Sequence, residues 1–437
     1  MKKIIVILLV LIANLSAQDK ILTLEESIKI GIANSKELKI AGSKMASSEA
    51  KITEAGSQLL PQLKLQATYQ RLSDIPPFEV SLPIFPQPIQ ISPVILDNYN
   101  VKLSLQQPLF TGFRLSSIKD AAESNHKAVS HEYQKEINET AFRIQNAFWN
   151  YYKAEQIKQL IIENLDATAK HLEDTKNFLK NGLATNSDIL KLQVLFSNTR
   201  LQLIDAENNV DIARSNLNKQ LGLALEADTK INPGIIDTSF TKYQLDELIR
   251  QAQENRDDLK SVEYRVHAGE KGITAANAGW YPSVFLFGDF YYSKPNQRII
   301  PAENKFRDTW DVGVSLQWDL WNWGYVSSQS VQAEEQKLQI ETSLSQLKDA
   351  VELEVYQSFL TYNRSLDKIK VSVLNIEQAE DNYRTSKEKY DQQLATSTDL
   401  IDAEVSLLQA ETNMTNSLVD FQLAKVKLLK AIGLKIY

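Results

Sequence analysis

One turn motif occurs twice in the sequence. It reads Gly182-Leu183-Ala184-Thr185-Asn186-Ser187-Asp188 in the first half and, after Gln393, Leu394-Ala395-Thr396-Ser397-Thr398-Asp399 in the second. Around these turns the chain has neither proline nor glycine from Phe113 to Asn181 or from Tyr325 to Gln392. Proline breaks helix interiors and glycine weakens them, so the sequence predicts long helices over about 113–180 and 325–391. Helices this long exceed the few turns usual in globular proteins and indicate a coiled coil or a tunnel.

Both turns belong to an internal duplication. Leu24, Ile28, Asn34, Leu38 and Pro61 recur as Leu245, Ile249, Asn255, Leu259 and Pro282, and Leu221-Gly222-Leu223 recurs as Ile432-Gly433-Leu434. We therefore predict two repeats, 18–223 and 243–437, joined by a linker or equatorial segment, 224–242. Each repeat is predicted to run helix, strand, loop, strand, long helix, tight turn, helix, with the returning helices over about 185–221 and 396–432.

Four strands are predicted from alternation of apolar and polar residues, over about 62–72, 99–109, 283–293 and 310–320. Strands of about 9–11 residues with one apolar face suit tilted membrane strands. The third is less regular, because Phe285 and Phe287 fall on the face expected to be polar. Trp310, Trp318, Trp321 and Trp323 gather at the fourth strand and its exit; a membrane-interface girdle is favoured over the alternative of a sandwich core.

The ends and the composition narrow the class of protein. A basic start and the apolar run Ile4 to Leu15 predict a secretory signal peptide over 1–17. The absence of cysteine excludes disulfides and a cysteine nucleophile, and a net charge of −7 argues against nucleic acid as the main partner. No later apolar run reaches helical membrane-span length, so entry into a membrane would require β-strands. Four strands cannot close a barrel, which needs about eight, so the chain is expected to oligomerise.

The helix lengths favour a tube. The long helix would measure about 100 Å and the two shorter helices of its repeat about 55 Å each, so the short pair matches the long one. Apolar and small residues step by three and four along both returning helices, as in a coiled-coil seam: Ile189, Leu192, Phe196, Thr199, Leu203, Ala206, Val210, Ala213 and Leu217, then Leu400, Ala403, Leu407, Ala410, Met414, Ser417, Phe421, Ala424 and Leu428. The alternative is a two-helix hairpin packed on a globular core.

Together, the signal peptide, the duplication, the strand pairs and the twice-used turn resemble the TolC-type outer-membrane efflux family. The resemblance implies an α+β membrane protein, a homotrimeric twelve-stranded β-barrel with four strands per protomer, continuous with a long periplasmic α-helical barrel. It implies a passive duct of a tripartite efflux or type I secretion system, in the outer membrane of a Gram-negative-type cell and extending into the periplasm. The implied partners are outer-membrane lipid, a periplasmic adaptor and an inner-membrane transporter, with no cofactor. The alternative function is a periplasmic coiled-coil scaffold.

The resemblance also assigns candidate site residues. Thr185 with Asp188, and Thr396 with Asp399, have capping-box spacing. Asp402 follows Asp399 one helical turn later, where the first copy has Lys191. By resemblance, Asp399 and Asp402 form an entrance gate that favours cations; the alternative is a cap plus a solvated acid. The adaptor would dock on the tips, Gly182, Leu183, Ala184, Thr185, Leu394, Ala395 and Thr396, for which plain helix termination is the alternative.

Two further expectations concern the turns and loops. Gln393 replaces Gly182 in the second copy, so its turn is expected to differ in shape. The segment 73–98 contains six prolines and is expected outside the cell, folded over the barrel mouth or against a neighbouring protomer.

The four histidines are scattered, and neither a phosphate loop nor a nucleophile elbow occurs. The sequence therefore predicts no enzymatic activity and no metal site.

Overall fold

The computed structural model describes residues 21–81, 83–234 and 239–437. The predicted signal peptide, 1–17, and part of the predicted linker lie outside the described residues. The chain divides into two compact units. A helical unit comprises the residues up to Ser43, His131–Leu259 and Gln346–Tyr437; a sheet unit comprises Lys44–Ser130 and Lys260–Ser345.

Each repeat contains two short helices, a strand pair, a long helix and a returning helix. In the first, these are α1 (Leu24–Asn34), α2 (Lys36–Ser57), β2 (Gln62–Arg71), β5 (Asp97–Thr111), α3 (Arg114–Lys180) and α4 (Asn186–Leu221). In the second, they are α5 (Leu245–Asn255), α6 (Asp257–Ala276), β7 (Ser283–Lys294), β8 (Arg307–Gln317), α7 (Tyr325–Asp391) and α8 (Ser397–Ala431). The minor strands are β1 (Ile21–Leu22), β3 (Phe78–Val80), β4 (Ile89–Ser92) and β6 (Lys230–Ile231).

The two long helices, α3 and α7, are 67 residues each, about 100 Å of helix. The first begins at Arg114, one residue later than predicted. Phe113 has a left-handed backbone (φ 68°), as does Gly324 (φ 81°) before α7, and neither continues a right-handed helix. The same turn therefore introduces both long helices, although only one copy has glycine at this position.

The helix before each strand pair is interrupted, whereas the sequence predicted one helix per repeat. Ser35 and Arg256 have extended backbones, with ψ of 123° and 124°. The Leu38 amide donates to Ser35 Oγ at 3.2 Å, so Ser35 ends α1 and caps α2. Arg256 bonds Asp258, Glu354 and the Ala431 carbonyl oxygen instead. The break is conserved between repeats, but the contacts that hold it differ.

A glycine ends each repeat where it approaches the helix break. Gly222 and Gly433 have φ of 71° and 78°. An added Cβ would lie 2.8 Å from Asn34 Cβ at Gly222, and 2.8 Å from the Arg256 nitrogen and the Asn255 carbonyl carbon at Gly433. Only glycine fits both the backbone and the space, which explains why Asn34 and Gly222 recur together as Asn255 and Gly433.

The main sheet is antiparallel, in the order β2-β5-β7-β8. β8 starts and ends three residues earlier than the predicted 310–320. Its last residue, Gln317, pairs with Ser283, the first residue of β7. The preceding Pro282 has no amide hydrogen to continue the ladder, so Trp318 and Leu320 lie beyond the strand.

Repeat-related tyrosines hold the segment between the repeats in the helical unit. Tyr151 donates its hydroxyl to the Thr229 carbonyl oxygen at 2.9 Å, and Tyr362 OH accepts from the Thr241 amide at 3.1 Å. Burial raises the pKa of Tyr151 to about 12, so the hydroxyl keeps its proton. Tyr151 belongs to a core with Ile144, Phe148 and Leu217. Both ends of the linker are thus fixed to long helices.

The segment 73–98, expected to connect the first strand pair outside the cell, contains the hairpin β3–β4. Its apolar side chains Phe78, Ile84 and Phe85 are exposed. Within the described residues, no helix is both long and apolar enough to span a membrane.

Candidate functional site

One face of the main sheet is apolar on all four strands. The central row is Leu65, Leu103, Phe290 and Trp310, and the next contains Leu63, Leu105, Gly288 and Val312. The side chains on this face are exposed in the single chain; Leu65 and Trp310 are 71% and 70% accessible. An apolar patch this continuous is a contact surface for lipid or protein.

The opposite face is polar and carries paired charges. Lys102 Nζ lies 2.9 Å from Asp289 Oδ2, and Ser104 also donates to this carboxylate. Arg298, in the β7–β8 loop, pairs with Asp311 and lies over the Tyr291 ring, 4.4 Å from its centroid. A sheet with one apolar and one charged face is suited to separate an apolar environment from water.

Phe285 and Phe287 do point to the polar face, as the irregular alternation predicted. The Phe287 ring lies over Gly313 of β8; a Cβ there would be 2.7 Å from Phe287 Cζ. Glycine on the neighbouring strand therefore makes room for this aromatic ring. The exception is local, at the end of the sheet nearest the helices.

Aromatic side chains form rows at both ends of the sheet. At the loop end, the ring centroids of Tyr69 and Tyr99 are 4.9 Å apart, and those of Tyr292 and Phe306 are 5.0 Å apart. At the helix end, Trp321 and Trp323 are 5.7 Å apart. Sequence analysis missed the loop-end row, because its members lie on different strands and meet only through pairing.

The four tryptophans singled out from the sequence are all exposed, but they do not share one level. Trp318, Trp321 and Trp323 follow the end of β8, whereas Trp310 lies seven residues before Gln317. At the rise of a β-strand this separation is about 23 Å. Trp310 lies level with Leu65, Leu103 and Phe290, in the central row of the apolar face.

The hairpin tips have the same geometry in both repeats. Gly182 and Gln393 have φ of 77° and 63°. The next amide, of Leu183 or Leu394, donates to the carbonyl oxygen of Phe178 or Lys389, at 2.9 and 2.7 Å. The expectation of a differently shaped second turn was wrong. The Schellman hydrogen bonds outweigh the strain of a left-handed glutamine.

Replacing Gln393 with glycine should stabilise the second tip by about 1 kcal/mol, the cost of a left-handed L-residue. Hydrogen exchange of the last turn of α7 should slow accordingly. Gly182→Gln, the reciprocal change, should speed exchange at the end of α3; nothing lies within 4 Å of its Cβ position. Equal exchange in both variants and the wild type would contradict this.

Both tips begin their returning helix with a capping box. Asp188 Oδ2 accepts from the Thr185 amide and hydroxyl at 3.0 and 2.6 Å, and Asp399 Oδ2 from those of Thr396 at 2.8 and 2.7 Å. Hydrogen bonds from the threonine hydroxyl and amide lower the pKa of both aspartates. Both carboxylates are therefore ionised at neutral pH.

Asp402 is exposed and lies one turn beyond Asp399 on α8. The first-repeat counterpart, Lys191, donates to Thr398 Oγ1 at 3.0 Å and so connects the two tips. The exposed apolar residues there are Leu183 and Leu394, at 52% and 74%. Each chain thus presents one acidic pair and two apolar tips.

The seam predicted along the returning helices is present. All nine positions on α4 and all nine on α8 are buried or half-buried, with Leu192, Leu217, Phe421 and Leu428 almost fully so. The small residues Ala206, Ala403 and Ala410 allow close helix approach.

Comparison with known proteins identifies this architecture. The model of the family described as "Outer membrane efflux protein" matches residues 28–223 and 248–434. The outer membrane protein TolC of Vibrio cholerae is 23% identical over 402 residues, 91% of this chain and 87% of TolC. Two solved structures share the fold: the Vibrio cholerae outer membrane protein VceC (TM-score 0.76, 19% identity, 95% of this chain, 97% of VceC) and CusC (TM-score 0.79, 15% identity, 94% of this chain, 92% of CusC).

The chain belongs to the outer membrane efflux protein family. Membership confirms three sequence-based predictions: the family, the outer-membrane location and a channel function in efflux or secretion. It favours the channel over the periplasmic scaffold.

Proposed function

We propose that three copies of this chain form a passive export duct, with their sheets closing a twelve-stranded barrel and their helices continuing it into the periplasm. The duct needs no cofactor. An inner-membrane transporter supplies the energy, and a periplasmic adaptor docks on the tips at Leu183 and Leu394. The entrance opens when the second-repeat helix pair, α7 and α8, moves away from the first.

The sheet carries this proposal. β2 and β8 are edge strands with unpaired backbone groups in the single chain, and one whole face between them is apolar. An open edge is not tolerated in lipid, while four strands are too few to close. Pairing of β8 with β2 of a neighbouring copy removes every edge, places the apolar face outward, and turns Lys102, Asp289, Asp311 and Arg298 toward a water-filled lumen.

Ion conductance tests this function. The purified protein, reconstituted in a planar bilayer, should give discrete conductance steps at neutral pH. A protein that inserts without conducting, or remains in solution without inserting, would contradict the duct.

Replacing both Asp399 and Asp402 with alanine should raise conductance and reduce cation preference, because the gate loses its acidic ring. The matched control is Asp188→Ala, which removes the same capping box from the other tip without touching the pair. If the control changes ion preference as much as the double variant, the gate assignment is wrong. Asp402→Asn alone, which leaves the cap intact, should give a partial effect.

A further inference from the structure

A buried histidine–glutamate pair joins the two hairpins near their tips. His171 lies on α3, nine residues before its end, and Glu404 lies on α8, seven residues after its start. His171 Nδ1 is 3.5 Å from Glu404 Oε1, and the side chains are only 3% and 4% exposed. The distance allows strong attraction between charges but is long for a hydrogen bond.

The buried side chains around His171 and Glu404 form a layer between the helices, and several of their polar atoms make no hydrogen bond. Among the described residues, four of its buried side-chain atoms have no hydrogen-bond partner: Thr168 Oγ1, both ring nitrogens of His171 and Glu404 Oε2. Buried polar atoms are nearly always paired in stable structure. Because so many unpaired polar atoms lie together here, we infer that the attraction between His171 and Glu404 stabilises this layer. A change in their charge would therefore change its packing.

The third helix of the layer, α7, contributes two tyrosines. The Tyr390 ring lies 4.8 Å from the His171 ring, and its hydroxyl shares a 2.6 Å hydrogen bond with Thr175. Burial raises the pKa of Tyr390 and of Tyr383, and the charge of Glu404 raises that of Tyr383 further. Both tyrosines are therefore neutral at working pH.

Among the described residues, the other charged groups that act on this layer are three acids and one lysine, Lys387, whose Nζ lies 5.8 Å from the centroid of the Tyr383 ring. Asp174 on α3, Asp188 on α4 and Asp391 at the end of α7 are close enough to influence Tyr390. Together with Glu404, they surround the layer with negative charge from all four helices of the two hairpins. Lys387 offsets part of this charge at Tyr383, and a proton on His171 offsets it beside Glu404.

We propose that the His171–Glu404 pair is a proton-dependent link that holds the two hairpins together and so keeps the entrance narrow at low pH. This inference rests on the proposed function. α3 belongs to the first-repeat hairpin and α8 to the second, so the link must break before the hairpins separate.

The charges of His171 and Glu404 determine whether raising the pH favours opening or closing of the entrance. Histidine is the side chain that changes charge between about pH 5 and 8. When His171 carries a proton, it attracts the Glu404 carboxylate in a site that excludes water, where the interaction is strong. When the ring is neutral, that attraction is lost, and a buried carboxylate without a counter-charge favours exposure to water. Raising the pH therefore favours opening.

The test compares the trimer at pH 5.5 and pH 8, by conductance and by hydrogen exchange of the segments 165–180 and 397–410. In the wild type, conductance should rise with pH. Exchange, corrected for its intrinsic pH dependence, should be on the order of tenfold faster at pH 8, the loss expected when a contact between charged groups becomes one with a neutral partner.

Two variants remove the link, and a third is the control. His171→Gln and Glu404→Gln should lose most of the pH response in both readouts. His267→Gln removes a histidine that is 60% exposed and pairs only locally with Glu270, so it should respond as the wild type does. A wild type without pH response, or a His171→Gln variant that keeps it, overturns the link. A protein that never conducts overturns the proposed duct, and the exchange data still decide on the link.

Discussion

Gly433→Ala is expected to lower the free energy of unfolding by about 3 kcal/mol. The left-handed backbone, φ 78°, costs an L-residue about 1–2 kcal/mol. The new Cβ would also lie 2.8 Å from two backbone atoms of the α5–α6 junction, and overpacking of this kind costs about 1–3 kcal/mol. The effect is measured by denaturant unfolding at fixed protein concentration, because assembly contributes to stability.

Gly182→Ala is the matched control. Gly182 has nearly the same φ, 77°, but nothing lies within 4 Å of its Cβ position. It should therefore lose only the backbone contribution, about 1–2 kcal/mol. Equal losses at Gly182 and Gly433 would show that close packing at the end of the repeat does not matter.

Leu65→Arg is expected to block assembly in the outer membrane. Leu65 lies in the central row of the apolar face, and arginine facing lipid near the bilayer midplane costs about 2–4 kcal/mol per protomer. Three copies in one barrel would multiply that loss. The measurement is the amount of variant recovered from outer-membrane fractions.

The neighbouring Gln66→Arg provides the control, since it differs only in the face to which the side chain points. Gln66 is exposed on the polar face, beside Lys102. In a water-filled lumen, its replacement should leave recovery close to the wild-type level. If both variants, or neither, are lost from the membrane, the assignment of the two faces is wrong.

The long helices and the faces of the strands follow from local sequence. Helix length could be predicted because two long runs lack glycine and proline, and the strand faces because apolar residues alternate. The ends of the elements were less predictable. β8 stops at Gln317 because its partner strand begins after Pro282, and this depends on pairing rather than on the sequence of β8.

Tertiary contacts explain the features that were missed. Arg256 is not a helix breaker by type; its extended backbone is held by Glu354 and the Ala431 carbonyl oxygen, which are distant in sequence. Gln393 adopts a glycine-like conformation because the hydrogen bonds of the turn stabilise it. The His171–Glu404 pair joins helices of different repeats, so neither residue alone indicated a partner.

Only part of the candidate site could be predicted from the sequence. The capping boxes of Thr185 and Thr396 have the spacing of a recognised motif, and the extra acid, Asp402, is evident by comparing the repeats. The loop-end aromatic row and the charge pairs on the polar face could not be predicted, because their members lie on different strands and meet only when those strands pair.

The number of chains in the particle extracted from the outer membrane tests the central claim most directly. Native mass spectrometry of the detergent-solubilised protein should give three copies, because three sheets of four strands would close the proposed barrel. A single copy that stays in solution without detergent would contradict the closed wall and the duct built on it.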